Sequence, residues 1–346
     1  MMSDHMPQAA PARPTIDTIA VAIGDPNGIG PEIAVKAACM LSERPGPRVI
    51  LVGDSHVIRH YAAQHAPGVD LVTMDAPTAA RPAILWHPVD SLPCDRFRPG
   101  EIDAAAGQAT VDYVAAAIGL VRAGACGAIV GCPHNETAVN AAGISFSGYP
   151  GLLARLTQTD ENNVFLMLVG GGLRILHATL HERLHHALAR LTPDLIVQAG
   201  LVCAATLQRL GIDTPRVGVF GINPHAGENG LFGDDDERIT MPAIKRLRES
   251  GLSVEGPTGA DVLLTRKDID GFVAIYHDQG HIPVKLLAGR TASALSVGSD
   301  ILFSSVGHGS AFDIAGQGKA EATALLRTLS LLANHPAATI GHADPP

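Results

Sequence analysis

Short apolar runs, bounded by glycine, proline or charged residues, alternate along the chain with longer stretches of helical periodicity. The runs at 18–23, 49–52, 128–130, 164–168, 174–179, 217–220 and 271–276 read as strands. Helical stretches follow at 31–41, 102–123, 193–210, 238–250 and 320–332. This order predicts an α/β fold, with a parallel sheet and crossover helices. Pro31 and Pro193 fall in first helical turns, where proline forfeits no intrahelical bond. Gly124, Gly211 and Gly251 fall just past helix ends, where a left-handed cap is wanted. No internal repeat or low-complexity segment breaks the pattern.

Composition narrows the function classes. With 346 residues, 46% of them hydrophobic, the chain can bury a large core, and its length predicts two lobes. A formal net charge of −9, with no block of lysine or arginine, gives no electrostatic footprint for nucleic acid. Five cysteines (39, 94, 126, 132 and 203) include no C-x-x-C pair. They read as small core residues of a reduced, cytoplasmic protein, not as a disulfide frame or thiolate zinc site. Residues 1–14 lack the apolar centre of a signal peptide and are expected to be a loose tail. The best apolar stretch, 104–121, contains Asp112 and reads as a buried helix, so no membrane association is expected.

Three predicted strands run into histidine. LRILHATLH ends at His181, VGVFGINPH at His225, and GFVAIYHDQGH supplies His277. Ligands of open parallel sheets sit beyond the carboxyl ends of the strands. Three imidazoles delivered there suit one divalent ion with positions left open for a substrate. A lone histidine at a strand end is more often an ordinary hydrogen-bonded polar residue; three together, each beside Gly, Pro or Asp, favour the metal. His177, His281 and His308 remain alternative ligands, and His185 and His186, in an amphipathic stretch, read as surface. GDPNGIGPE (24–32) follows the first strand and opens a helix, so its amides are expected at the same sheet edge as the histidines. Its spacing is not the G-x-G-x-x-G fingerprint, and a tight turn without a ligand explains its glycines almost as well. VGHGSAFDIAGQGKA (306–320) reads as a glycine-rich loop in which Asp313 could accept a ribose hydroxyl.

In this order and spacing, GDPNGIGPE, GINPHAGE, YHDQGH and HGSAFDIAGQGKA resemble the 4-hydroxythreonine-4-phosphate dehydrogenase family over about residues 15–332. The resemblance implies a two-lobed α/β/α fold like that of isocitrate and isopropylmalate dehydrogenases, with the active site in the interlobe cleft. The first lobe would comprise 15–135 plus 300–346, and the second, carrying metal ligands and dimer contacts, 136–299. It implies NAD at Gly307, His308, Gly309 and Asp313. It further implies one divalent metal, zinc in the first instance, on His181, His225 and His277, shared across a homodimer interface. Lys285, Asp278 and Asp261 match active-site positions of the family. Tyr149, Ala294 and Phe303 stand where the family's pattern has His, Asn and Arg for a phosphate, and charge-assisted donors of that kind are each worth roughly 1.5–3 kcal/mol.

FSGYP, GINPHA, HDQGHIP and SSVGHGSA are most similar to the terephthalate dihydrodiol dehydrogenases of the same superfamily. The implied reaction is oxidative decarboxylation of a cis-dihydrodiol of terephthalate to protocatechuate, carbon dioxide and NADH. Lys285 would relay the proton, while Asp278 and Asp261 would orient the ligands or the lysine. A phosphorylated hydroxy acid, a metal-dependent hydrolase without NAD, and a non-catalytic sensor stand as alternatives.

Overall fold

The computed structural model describes residues 16–44, 46–74 and 82–333. The segment expected to be a loose tail, 1–14, lies outside the described residues. In chain order the strands are β1 (Thr18–Ala22), β2 (Arg48–Gly53), β3 (Asp70–Thr73), β4 (Ala83–Pro88), β5 (Ala128–Gly131) and β6 (Phe165–Gly170). There follow β7 (Leu173–His177), β8 (Arg216–Phe220), β9 (Ser253–Thr258), β10 (Gly271–Ala274), β11 (Ser293–Val297) and β12 (Phe303–Val306). All join one sheet, in the order β3-β4-β2-β1-β5-β12-β11-β6-β7-β10-β8-β9.

The α-helices are α1 (Gly30–Ser42), α2 (Ser55–His65), α3 (Ala104–Arg122), α4 (Glu136–Ala141), α5 (Tyr149–Thr157) and α6 (Leu184–Ala189). The remainder are α7 (Pro193–Arg209), α8 (Met241–Glu249), α9 (Ala260–Leu263), α10 (His277–Ala288) and α11 (Thr323–Leu332). Local chemistry sets their ends. Asp103 caps α3 by accepting from the Ala105 amide, and Thr192 caps α7 through the Leu195 amide. Gly124, Gly211 and Gly251 take the left-handed backbone (φ 76°, 94° and 89°) that stops a helix without a Cβ penalty. The apolar α3 packs in the core, where Tyr113, Val114 and Ile118 are buried, while its Asp112 accepts from Ser91 Oγ at 2.6 Å. The five cysteines are free, and three of them are buried.

Strand direction corrects two expectations. The sheet is mixed: β3, β4, β2, β1, β5 and β12 run parallel, as do β7, β10, β8 and β9, but β12–β11, β11–β6 and β6–β7 are antiparallel. Three reversals turn the second parallel group against the first. The carboxyl ends of β7, β8 and β10, which deliver histidines, therefore lie at the edge opposite that reached by β1 and its GDPNGIGPE turn. The strand β7 also stops at His177, leaving His181 on the following loop.

Two of the strands that carry these reversals, β11 and β12, are poor in apolar residues. SALSV and FSSV bury Ser293, Ser296 and Ser304 in mid-sheet. The Ser304 hydroxyl donates to the Ala294 carbonyl at 3.4 Å, and Ser293 Oγ shares a 2.8 Å bond with Thr328 Oγ1 of α11. Ser293 and Ser304 thus break the hydrophobic pattern without losing their hydrogen bonds.

Where β12 meets β5, glycine makes room for two aromatic rings. A Cβ on Gly131 would lie 2.7 Å from Phe303 Cζ and 2.8 Å from Tyr149 Cζ. Both rings are buried, with centroids 4.7 Å apart. Gly131→Ala is expected to lower unfolding free energy by about 1–3 kcal/mol through overpacking. Denaturant titration checks this, and an unchanged midpoint would mean that the ring pair is free to shift.

Candidate active site

One helix gathers most of the chemistry. The segment HDQGHIPVKLLA contains Gly280 and Pro283, both poor helix formers, and its local pattern does not predict α10. Packing against β6, β7 and β10 overrides propensity. Spacings of four residues then place His277, His281 and Lys285 along one face. The His277 and His281 rings stack at 3.7 Å between centroids, 13° apart, and the His181 ring comes to 5.5 Å from His277. One nitrogen from each of His181, His277 and His281 lies within 4.8 Å of the other two. Three imidazole donors in so small a volume fit a divalent ion of the zinc type, which takes nitrogen ligands at about 2.0–2.1 Å.

Neighbours orient these rings. His277 Nδ1 lies 2.7 Å from the Asp278 carboxylate, a pairing that aims Nε2 outward. His281 Nδ1 lies 3.0 Å from Nε2 of the buried His177, whose own Nδ1 lies 3.1 Å from the Leu166 carbonyl. Burial drives His177 down to about 3 and His281 down to about 4, so both are neutral at physiological pH. Gln279 braces the helix start: its Nε2 donates to the Gly221 carbonyl at 3.0 Å, and its Oε1 accepts the Ile275 amide at 2.9 Å. Beside His181 and His277 opens a cavity of about 330 Å³, walled by Leu180, Leu184, Ala187 and Tyr276.

At the far end of α10, Lys285 Nζ donates to the Gly307 carbonyl at 3.2 Å. Gly307 enters the predicted cofactor loop, where a cavity of about 880 Å³ is lined by Ile29, Gly307, His308, Gly309, Asp313 and Lys319. This volume suits a dinucleotide or a large part of one. GDPNGIGPE reaches the same cavity: the Ile29 amide donates to the Ser310 carbonyl at 3.0 Å. From the helix it opens, buried Glu32 accepts the Ala320 amide at 2.9 Å, and Lys36 Nζ donates to the carbonyls of Gly318 and Ala320 at 3.0 and 2.7 Å. The two glycine-rich segments thus form one wall.

Other predicted residues lie elsewhere within the single chain. His225 is exposed on a loop with left-handed backbone (φ 53°), 3.5 Å from Glu228 and outside the imidazole cluster. That loop is held by buried Asp236, which accepts the amides of Ile222 and Asn223 at 2.9 and 3.0 Å. Asp261 is exposed in the first turn of α9. Tyr149 donates to the Cys132 carbonyl at 2.7 Å and packs on Phe303, while Ala294 is half-buried in β11; none of the three lines either cavity described above. His177, His281, Gln279 and Asp236 carry site geometry that the strand-end pattern did not single out as the leading set. The four-residue periodicity of His277, His281 and Lys285 was the available signal.

Asp25 is a further buried group of this region. Its Oδ1 accepts the Asn27 amide at 2.9 Å, while Oδ2 has no partner among the described residues. Burial raises its pKa to about 7, with the Asn27 amide opposing and Asp103 adding to the rise. A carboxyl raised on folding loses stability as pH climbs from its unfolded value near 4 to about 7, by up to about 1.4 kcal/mol per pH unit. Asp25→Asn removes the titration while keeping the acceptor. Chemical denaturation at pH 5 and pH 8 is expected to give a smaller fall with pH for the variant than for the parent; equal slopes would return Asp25 to an ordinary pKa.

A profile of the family described as pyridoxal phosphate biosynthetic protein PdxA matches residues 46–332. A protein of Comamonas sp. named 1,2-dihydroxy-3,5-cyclohexadiene-1,4-dicarboxylate dehydrogenase is 49% identical over 321 residues, covering 92% of this chain and 98% of its own. A D-threonate 4-phosphate dehydrogenase of Cupriavidus necator is 39% identical, covering 95% and 97%. The crystal structure of a terephthalate 1,2-cis-dihydrodiol dehydrogenase from Burkholderia xenovorans LB400 superposes with a TM-score of 0.72 at 53% identity, over 91% of this chain and 97% of that one. A 4-hydroxythreonine-4-phosphate dehydrogenase from Klebsiella pneumoniae superposes with a TM-score of 0.82 at 36% identity, over 92% and 99%. These relatives are named as dehydrogenases, which leaves the hydrolase and sensor alternatives without support. With most of its length matched by one family profile and by relatives of this kind, the chain belongs to the PdxA family and is an oxidoreductase.

Proposed function

We propose that this chain oxidises and decarboxylates a cis-dihydrodiol of terephthalate, with NAD and a divalent ion, to give protocatechuate, carbon dioxide and NADH. The observation that carries the reading is helix α10, which runs from the imidazole cluster at His277 and His281 to Lys285 on the cofactor loop. The dihydrodiol is supported by identity to the Comamonas and Burkholderia proteins, and by the packed, uncharged pair Tyr149 and Phe303 where the resemblance implies phosphate ligands.

When bound, the ion supplies Lewis acidity toward the substrate oxygens, and NAD supplies the hydride acceptor. The chain's residues do the rest. His181 and His277 would hold the ion, and Asp278 fixes the His277 tautomer. The apolar walls of Leu180, Leu184, Ala187 and Tyr276 shield the ligand cluster from water on one side. Lys285 takes the proton of the secondary hydroxyl as hydride leaves the same carbon, which yields a ketone β to the ring carboxylate. Loss of carbon dioxide then sends its electron pair into the ring and leaves a phenolate oxygen. That oxygen needs the proton that Lys285 removed, so the overall reaction releases none.

The ligand set of His181, His225 and His277 would be completed in a homodimer. Exposed apolar side chains of Ile282, Leu286 and Leu287 on α10, and the exposure of His225, support such a pairing. Zinc is the first ion to test, and a cytoplasmic location accords with the free cysteines.

Purified protein supplied with NAD, a divalent ion and terephthalate dihydrodiol is expected to form NADH and protocatechuate in equal amounts. Its kcat/KM is expected to exceed that for 4-hydroxythreonine 4-phosphate by about a hundredfold or more, the equivalent of losing two charge-assisted phosphate contacts. Faster turnover of the phosphate substrate would reverse the assignment. In parallel, Asp313 at the cofactor cavity favours a free ribose hydroxyl over a 2′-phosphate. NAD should therefore surpass NADP by about tenfold or more in kcat/KM, the effect of one interaction of about 1.4 kcal/mol. Equal efficiencies would remove Asp313 from cofactor choice.

A further inference from the structure

We propose that His281 is a metal ligand in its own right and that buried His177 is the residue that makes it one, by fixing its tautomer. This inference rests on the reading that a divalent ion binds at the imidazole cluster. It adds to the set of His181, His225 and His277 a ligand from the same helix as His277, together with the residue that positions it.

Hydrogen-bond roles along the chain Leu166–His177–His281 fix both tautomers. The Leu166 carbonyl can only accept, so the His177 nitrogen facing it at 3.1 Å, Nδ1, must carry hydrogen and donate. His177 is enclosed, with 1% of its surface exposed, so its neutral form prevails and Nε2 is left with a lone pair. Nε2 therefore accepts, and its partner at 3.0 Å, His281 Nδ1, must donate. Once Nδ1 of His281 carries the hydrogen, Nε2 of that ring is bare. Nε2 is the only nitrogen left for the cluster with His181 and His277, and its lone pair is what an ion requires. His277 obtains the same outcome from a different partner, the Asp278 carboxylate on its Nδ1.

The packing shows that the contact is built rather than incidental. A Cβ on residue 280 would stand 2.3 Å from His177 Nε2 and 2.9 Å from its Cε1. Glycine at 280, unfavourable in a helix by roughly 1 kcal/mol relative to alanine, is what lets the imidazole lie under α10 and meet His281. Neither His177 nor Gly280 touches a described cavity, so a role in contacting substrate does not account for them.

Co(II) binding to the purified, metal-stripped protein provides the test, read by visible absorption and by competition with a chelator, with thermal melting run on each variant to establish folding. His281→Ala is expected to lose affinity and to change the cobalt spectrum. His177→Leu, which removes the acceptor but fills the space, should weaken Co(II) by about 10–100-fold. His177→Gln, which can still donate to Leu166 and accept from His281, should recover part of that loss. Nitrogen-15 NMR of the metal-free protein should find His177 and His281 both protonated at Nδ1, a readout that needs no ion. A folded His281→Ala protein with unchanged cobalt affinity and spectrum would remove His281 from the ligand set. An Nε2-protonated His281, or a folded His177→Leu protein with parent affinity, would overturn the positioning role. A parent protein that binds no Co(II) while showing the Nδ1 tautomers would instead overturn the underlying metal reading, and the ligand role with it.

Discussion

Helix α10 can lie on β7 only because residue 280 has no side chain. The imidazole of His177 occupies the volume where a Cβ would project, and everything the helix carries takes its position from that contact. Were the helix lifted by the width of a methyl group, the His177–His281 bond would open and the stacked pair of His277 and His281 would leave His181 behind. Gln279 adds a second fastening by binding the carbonyl of Gly221 and the amide of Ile275, so the helix start is tied to the ends of β8 and β10 together. The first turn of α10 is thus over-determined, which is what a site requiring sub-ångström placement of ligand atoms needs.

The same helix resolves a difficulty posed by the mixed sheet. Histidine-bearing strands and glycine-turn strands deliver their residues to opposite edges, so neither edge alone has both the imidazole cluster and the glycine-rich wall. The helix α10 spans the gap. From His277 to Lys285 is eight residues, or roughly 12 Å along the axis at 1.5 Å per residue. Lys285 then ends on the backbone of Gly307, at the mouth of the larger cavity. The enclosing wall is itself stapled: Glu32 and Lys36 of α1 hold the backbone of Gly318 and Ala320, so the segment that follows the first strand shapes the loop that follows the last.

What the sequence made legible follows from where each element gets its stability. Strands buried on both faces, such as IAVA in β1 and the VGVF of β8, announce themselves as apolar runs, and helices with a capping residue and a terminal glycine announce their ends. The central strands β11 and β12 do not, because serine hydroxyls there bond to carbonyls and to Thr328, and hydrogen bonding to distant partners leaves no periodic trace. Helix α10 was hidden for a different reason. Gly280 and Pro283 argue locally against a helix, and only the tertiary contact with His177 explains the glycine. The histidines themselves were visible as a set; which of them meet was not, since His181 reaches the cluster from a loop and His281 from a helix whose existence had to be known first. The expected edge for GDPNGIGPE failed because strand direction depends on pairing across more than a hundred residues.

That long-range pairing has a consequence for how the polypeptide acquires its shape during synthesis. β12 inserts between β5 and β11, pairing Phe303 with Ile129 and Ser296. Until it arrives, the strand Ala128–Gly131, apolar and buried in the finished sheet, offers a bare backbone edge of the kind that recruits foreign strands. The gap from Gly131 to Phe303 is 172 residues (303 − 131), which a ribosome working at about 5–20 residues per second takes on the order of ten to thirty seconds to translate. A chain built this way must keep that edge covered by transient contacts or by a chaperone for the whole interval, and the serine-rich strand that finally closes it is too polar to aggregate on its own account.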